Sequence, residues 1–444
     1  MPTRRTALRS GLTGAAVTAL AAVPLAALTA RPASATSGIG PAGGAGHAEA
    51  GRGSAHRGGD RLRLTLPAPT GPYAVGTRAV RLVDHARPDP WGASARPYRE
   101  LMISVRYPAG HVEGHPLAPQ LLPGEADEFA ALDYLPGIPA DRIDWAATRT
   151  HAHQDAPPAR TVGGSPVVLY SPGAGDPRSF GTTLCDDLAS RGYTVVSIDH
   201  TYDAYAVQFP GERVEKTVLP AEMAKAGSDP DRMVALLEKV LAVRVADTRF
   251  VLDALPAALP RAVRAAVRPG RVGMFGQSAG GFAALQTMHD DRRITAGANL
   301  DGVLAYVQED SDPGHLSSVA ADGLDRPFLL VGKDGDDLGT EPAWAALWRH
   351  STGWRRGLTL RGAAHASYTD LESLVPQIVA RLGLPAAVLE DNVGTLSPGR
   401  AITAGRSYLA AFFDRWLRDG DDDGLLDGPS RRFPEARFFD APPR

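Results

Sequence analysis

Gly276-Gln277-Ser278-Ala279-Gly280 is the run whose residue types and spacing offer the most chemistry. A short apolar segment, 271–275, precedes it, and good helix formers follow from Gly281 to Met288. Strand, tight turn and helix, in that order, are the setting in which a G-x-S-x-G serine is lifted clear of a sheet as a nucleophile. Glycine tolerates the sharp turn, and the helix N-terminus behind it favours negative charge developing on a substrate. The chemistry expected of such a serine is acyl transfer. A chance match is the competing reading in a chain with 48 glycines, and the flanking strand and helix weigh against it.

A hydroxyl is a weak nucleophile and needs a base. His289, His315, His350 and His365 follow Ser278. His289 falls late in the helix after the turn, His350 ends a helical run, and His315 has no strand before it. Only His365 follows a strand, 358–360, in a short loop, and it comes last in the chain order Ser, Asp, His. The acid is open between two places. Asp301 follows the apolar strand 296–300, whereas Asp334, Asp336 and Asp337 follow the next one, 327–331. Either place can hold a carboxylate that orients an imidazole. Asp301, single and bracketed by Leu300 and Gly302, is slightly favoured over a group that reads as a solvated turn. An oxyanion needs two backbone N–H groups. Ala279, after the nucleophile, offers one. Ser171-Pro172-Gly173-Ala174-Gly175, after the strand 167–170, offers the other at Ala174.

These positions require a scaffold that brings strand ends together. Apolar strands are expected at 62–66, 80–84, 101–107, 167–170, 194–198, 271–275, 296–300, 327–331 and 358–360, with Pro108 ending the third. Helices are expected around 129–134, 179–191, 232–255, 281–288 and 405–417. Alternation of strand and helix implies a mostly parallel sheet covered by helices on both faces, with its chemistry along the edge where the strands end. The polar and helical interruption 203–254 is expected to form a cap insertion over the pocket.

The first 35 residues read as an export signal. Arg4-Arg5 lies in a twin-arginine region, an Ala-rich apolar stretch covers 11–30, and Ala33-Ser34-Ala35 offers a cleavage site. An uncleaved anchor is the competing reading, and the stretch is weakly apolar for that. Residues 36–59 read as a disordered Gly/Ala-rich leader, and a single domain is expected over 60–444. Of the 444 residues, only Cys185 is a cysteine, which excludes an internal disulfide and a multi-cysteine metal site. The formal net charge of -3 and the lack of a basic block speak against a nucleic-acid partner. Asp419-Gly420-Asp421-Asp422-Asp423-Gly424, with Asp427, matches half of a calcium loop. Its twelfth position is Ser430, without the bidentate glutamate, so a solvated acidic turn is expected and no metal.

With these residues placed, the chain resembles the secreted, plasma-type platelet-activating-factor acetylhydrolases and their bacterial relatives, of the α/β-hydrolase superfamily. The likeness is carried by Leu66-Pro67-Ala68-Pro69-Thr70-Gly71-Pro72-Tyr73-Ala74-Val75-Gly76, Arg87-Pro88-Asp89-Pro90-Trp91, Arg99-Glu100-Leu101-Met102 and Tyr107-Pro108, besides the serine turn. It runs from about Leu66 to Leu417. The resemblance implies the α/β-hydrolase fold, an acid at Asp301 and a histidine segment at Arg361-Gly362-Ala363-Ala364-His365. It also implies no cofactor and hydrolysis of short or oxidised acyl groups. The family's oxyanion segment usually reads His-Gly, and Ser171-Pro172-Gly173 stands in its place here. The expected protein is thus a secreted serine esterase with Ser278, Asp301 and His365 as its triad. Its substrate is a small ester or phospholipid. Transient contact with lipid surfaces is expected, but no stable protein partner. A broad-specificity carboxylesterase, lipase or polyester hydrolase is the nearest alternative, and a non-catalytic binding protein the alternative of another class.

Overall fold

The computed structural model describes residues 61–439, apart from 94–95, 133, 162, 308–311 and 313. The expected signal and leader, 1–35 and 36–59, lie outside the described residues. The strands are β1 (Ala74–Pro88), β2 (Tyr98–Ala109), β3 (Leu117–Pro119), β4 (Arg149–Gln154), β5 (Ser165–Ser171), β6 (Thr194–Asp199), β7 (Ala206–Gln208), β8 (Val214–Lys216), β9 (Val267–Gln277), β10 (Ile294–Leu300), β11 (Phe328–Gly332), β12 (Arg355–Leu360) and β13 (Ala436–Phe439). The helices are α1 (Pro123–Ala131), α2 (Thr182–Ser190), α3 (Leu219–Ala226), α4 (Pro230–Ala258), α5 (Arg261–Ala266), α6 (Ala279–Asp290), α7 (Ser318–Asp322), α8 (Pro342–His350), α9 (Leu371–Leu382), α10 (Ala386–Val393) and α11 (Pro398–Arg418).

The continuous apolar runs form strands buried on both sides. Val167 and Leu169 of β5 enter one core with α4, α6 and α8, while Val168 and Tyr170 enter a second with α2 and α11. Phe328 and Leu330 of β11 likewise face away from Leu329 and Val331. Alternate side chains thus take opposite faces, and helices cover both. Strands β6, β5, β9, β10, β11 and β12 pair in parallel, in that order. Antiparallel β2 and β1 extend one side and β13 ends the other. The chain runs from β5 to β6 and then crosses back to β9, so the order reverses between β5 and β9. That switch point is where an open α/β sheet leaves a crevice at its strand ends. This is the α/β-hydrolase fold.

Several expectations change. Leu62, Leu64 and Leu66 form no strand: Leu62 makes one bridge to Ile143, and Leu64 and Leu66 are buried in a third apolar cluster with Phe129, Trp145 and α9. Their alternation reflects a chain lying on a core. Pro108 does not end β2 but pairs with Val75 inside it. The insertion 203–254 is only in part a separate layer. Residues of α3 and the first half of α4, Leu219 to Val240, form their own small cluster, whereas from Leu241 onward α4 packs into the main core against the sheet. In the acidic turn, Asp419 pairs with Arg271 at 2.9 Å, and Asp422 and Asp427 with Arg415 at 3.0 and 3.4 Å.

Candidate active site

Ser278 stands between the last residue of β9 and the first of α6 with φ +56° and ψ −127°. A side-chain-bearing residue there is strained, by roughly 1–3 kcal/mol. The strain is held by packing: Ser278 N–H donates to Leu300 O at 2.8 Å. A Cβ on Gly280 would come within 1.9 Å of Ser171 O, and one on Gly276 within 2.2 Å of Gly280. The two glycines let the turn lie directly on the end of β5. Ser278 is buried at 3% exposure.

Asp301 follows β10 and also has positive φ, +58°. Its N–H donates to Val331 O at 2.8 Å, so its carboxyl is set by the neighbouring strand. Oδ1 accepts from Lys333 N–H at 3.0 Å, and Oδ2 accepts from Nδ1 of His365. Burial alone would raise the Asp301 pKa. The charge and hydrogen bond of His365, with Lys333, outweigh it and hold the carboxyl well below the usual carboxylate range. An ionised carboxylate only accepts, so Nδ1 of His365 carries the proton. In the neutral ring Nε2 is then the basic nitrogen. It is buried and makes no hydrogen bond among the described residues. His365 reaches Asp301 because β12 ends in the short turn that opens the 3-10 segment His365–Tyr368. Gln277, directly before Ser278, donates from Nε2 to the His365 carbonyl at 3.2 Å. The serine turn and the histidine segment are therefore adjoining.

The other histidines lie elsewhere. His289 bridges Asp290 and Asp322 on the surface at 2.6 and 3.2 Å, His350 binds Ala320 O at 3.1 Å, and the carbonyl of His315 accepts from Tyr306 N–H at 2.8 Å. Of the rival acids, Asp337 is spent in its own turn, accepting from Gly339 N–H and Thr340 N–H at 2.6 and 3.2 Å. Asp336 is different. It is buried beside Asp301, and Lys333 Nζ lies 3.0 Å from both its oxygens. Burial and the Asp301 charge raise it to about 9, against the pull of Lys333.

Ala174 and Ala279 lie at the ends of β5 and β9, on either side of the switch point, and neither N–H has an acceptor among the described residues. Asp176, which residue reasoning passed over, belongs here too. It accepts from Tyr134 OH at 2.9 Å, and burial raises its carboxyl to about 6. Phe282, one turn into α6, packs on Tyr306 at 5.6 Å between ring centres. Tyr306 lines a cavity of about 460 Å³ with Met233, Val234, Leu237 and Val307. No group of three or more His, Cys, Asp or Glu among the described residues is placed to hold a metal ion.

Comparison with known proteins gives this geometry relatives. The family model described as platelet-activating factor acetylhydrolase, isoform II, matches residues 142–219. A probable 1-alkyl-2-acetylglycerophosphocholine esterase of Arthroderma benhamiae is 29% identical over 398 residues, 84% of this chain and 94% of that protein. The platelet-activating factor acetylhydrolase of Cavia porcellus is 21% identical over 296 residues, 61% of this chain and 64% of that one. Among solved structures, a ferulic acid esterase from Streptomyces cinnamoneus superimposes with a TM-score of 0.67 at 36% identity, covering 85% of this chain and 99% of its own. The chain is similar to the platelet-activating-factor acetylhydrolases, and it is a carboxylic ester hydrolase of the α/β-hydrolase superfamily.

Proposed function

We propose that the protein is an exported serine esterase that cleaves short-chain carboxylic esters through an acyl-serine intermediate. The short or oxidised acyl group of a phospholipid is among its substrates. One observation carries the mechanism: an imidazole whose Nδ1–H is fixed on Asp301, whose Nε2 is buried without a hydrogen bond among the described residues, and whose own carbonyl is bound by Gln277 of the strained serine turn. His365 takes the Ser278 proton as Oγ attacks the ester carbonyl. It returns that proton to the leaving alcohol, then activates water for deacylation. Asp301 stabilises the imidazolium, and Ala174 and Ala279 N–H receive the oxyanion. The substrate rests on the family, whose Arthroderma member is named for an acetylated glycerophosphocholine. A second reading, a broad carboxylesterase that takes aromatic acid esters, is favoured by the 36% identity to a ferulic acid esterase. Export rests on Arg4-Arg5, the apolar stretch 11–30 and Ala33-Ser34-Ala35.

The test joins mechanism and substrate. Ser278→Ala is expected to abolish hydrolysis and labelling by a fluorophosphonate, because the hydroxyl is the attacking group. Labelling that persists at another serine overturns the nucleophile. Each buried methylene is worth ~0.8 kcal/mol, so a deep acyl tunnel favours long chains and a short pocket does not. kcat/KM over p-nitrophenyl esters and matched phospholipids is therefore expected to favour acetyl to butyryl over palmitoyl. A steady rise with length marks a lipase. Short-ester and feruloyl activity without phospholipid hydrolysis marks the broad esterase.

A further inference from the structure

Arg244, in the middle of α4, is 1% exposed and has no part in the proton relay. Its guanidinium takes Asp203 in a two-pronged pair, Nε to Oδ2 and Nη2 to Oδ1, both at 2.7 Å. The same group reaches the loop after β5: Nη1 donates to Pro172 O at 2.6 Å and Nη2 to Gly173 O at 2.9 Å. Asp203 closes the far side, since its Oδ1 accepts from Gly175 N–H at 3.0 Å. The near side is held by Ser171, whose hydroxyl lies 3.0 Å from Nε2 of His200. His200 in turn meets Asp247 at 3.0 Å, and Asp247 meets Arg99 at 2.7 Å. Burial lowers the His200 pKa, so the neutral ring gives its proton to Asp247 and accepts from Ser171. Ser171 through its hydroxyl, Pro172 and Gly173 through their carbonyls and Gly175 through its N–H are thus all tied to buried charged or polar groups, while the Ala174 N–H between them has no acceptor among the described residues.

We propose that Arg244 and Asp203 are positioning residues that aim the Ala174 N–H at the reacting carbonyl. The reason is the peptide plane. Gly173 C=O and Ala174 N–H belong to one peptide unit, and in a trans peptide they point in opposite directions. With Gly173 O drawn into the core by Arg244, the N–H is turned outward, away from α4. The guanidinium also polarises that peptide and makes its N–H a stronger donor. A buried ion pair is a poor device for stability alone, since an apolar pair of similar volume often does as well. Holding a donor ready before the transition state forms is a use that an apolar pair cannot serve.

The inference rests on the serine-esterase reading. Its test compares matched aryl oxoester and thionoester substrates, in which sulfur replaces the carbonyl oxygen and accepts a hydrogen bond poorly. The wild type is expected to prefer the oxoester strongly. Arg244→Lys keeps the buried charge paired, but one ammonium cannot hold both carbonyls and Asp203. It is expected to lose on the order of 10²-fold in oxoester kcat, the size of one oxyanion donor, with KM within about threefold. Thionoester kcat should change little, so the preference collapses. The charge-free pair Arg244→Met with Asp203→Asn is expected to do the same while keeping the near-UV circular dichroism of the native fold. If oxoester and thionoester rates fall together, or neither falls, the positioning role is wrong. A wild type with no oxoester preference, or an active Ser278→Ala, sinks the serine-esterase reading instead.

Discussion

Asp301 and Asp336 end up beside one another because they follow adjacent parallel strands, β10 and β11. That is why residue types alone could not decide between the two places for the acid: both loops lead to the same spot. The structure gives them different protonation. Asp301 is held ionised by His365, and Asp336 is pushed up to about 9 by burial and by that neighbouring charge. At neutral pH the pair therefore carries one proton, on Asp336. Asp301→Asn is expected to cost about a thousandfold or more in kcat, as loss of an orienting carboxylate does. Asp336→Asn, which resembles the neutral acid, is expected to stay within about threefold. The sign of the stability effect follows from linkage. From about pH 4 to about 9 the folded wild type holds a proton on Asp336 that the unfolded chain has released, so wild-type stability falls as pH rises. Asparagine does not titrate. The Tm of Asp336→Asn relative to wild type is expected to climb from pH 5 to pH 9 in thermal melts. A difference that is flat or falls with pH would show Asp336 to be ionised and paired with Lys333.

The elements that carry the site were those most legible in the sequence, and the reason is burial. Strands β5, β6, β9, β10 and β11 are covered on both faces, so each carries a predominantly apolar or small-residue stretch between turn residues, continuous in β5 and β11. The elements that escaped notice lie at the margins. β13 is a four-residue edge strand, too short for a period to show. α9 has Pro376 inside it and buries one side only, against the third cluster. The clamp on the oxyanion loop escaped for a different reason. Arg244 lies 41 residues from Asp203 and 71 from Gly173, and nothing local marks a mid-helix arginine as the partner of a distant loop. The contact between β5 and the serine turn can be tested at this scale. A methyl group on Gly280 would meet backbone oxygens of Ser171 and Pro172 at 1.9 and 2.5 Å. Neither can swing aside as a side chain could. Gly280→Ala is expected to destabilise by about 1–3 kcal/mol or more and to lower kcat by displacing Ala174 and Ser278 relative to each other. Denaturant unfolding and ester hydrolysis measure the two effects. A variant of wild-type stability would mean that the elbow does not lean on β5.

At the scale of the whole molecule, the proposal with the widest reach is export. The single cysteine is buried as a free thiol, and burial raises it to about 12. Folding therefore needs no oxidising compartment. The buried charges point the same way: Arg99, Arg244, Asp203 and Asp247 reach their partners only when β2, α4 and the loops after β5 and β6 are all in place. Such a chain is suited to a route that carries folded proteins, and Arg4-Arg5 followed by a weakly apolar stretch is the address that route reads. Replacing both arginines by lysine preserves the charge and the hydropathy of the segment, so an export route that reads only those properties would not notice. Cell fractionation with ester hydrolysis as the readout is expected to show the activity moved from the medium to the cytoplasm, with kcat/KM unchanged, because Ser278, Asp301, His365 and the two oxyanion donors all lie in the chain beyond the proposed signal. Unchanged export of the double variant would overturn the twin-arginine assignment while leaving the esterase chemistry untouched.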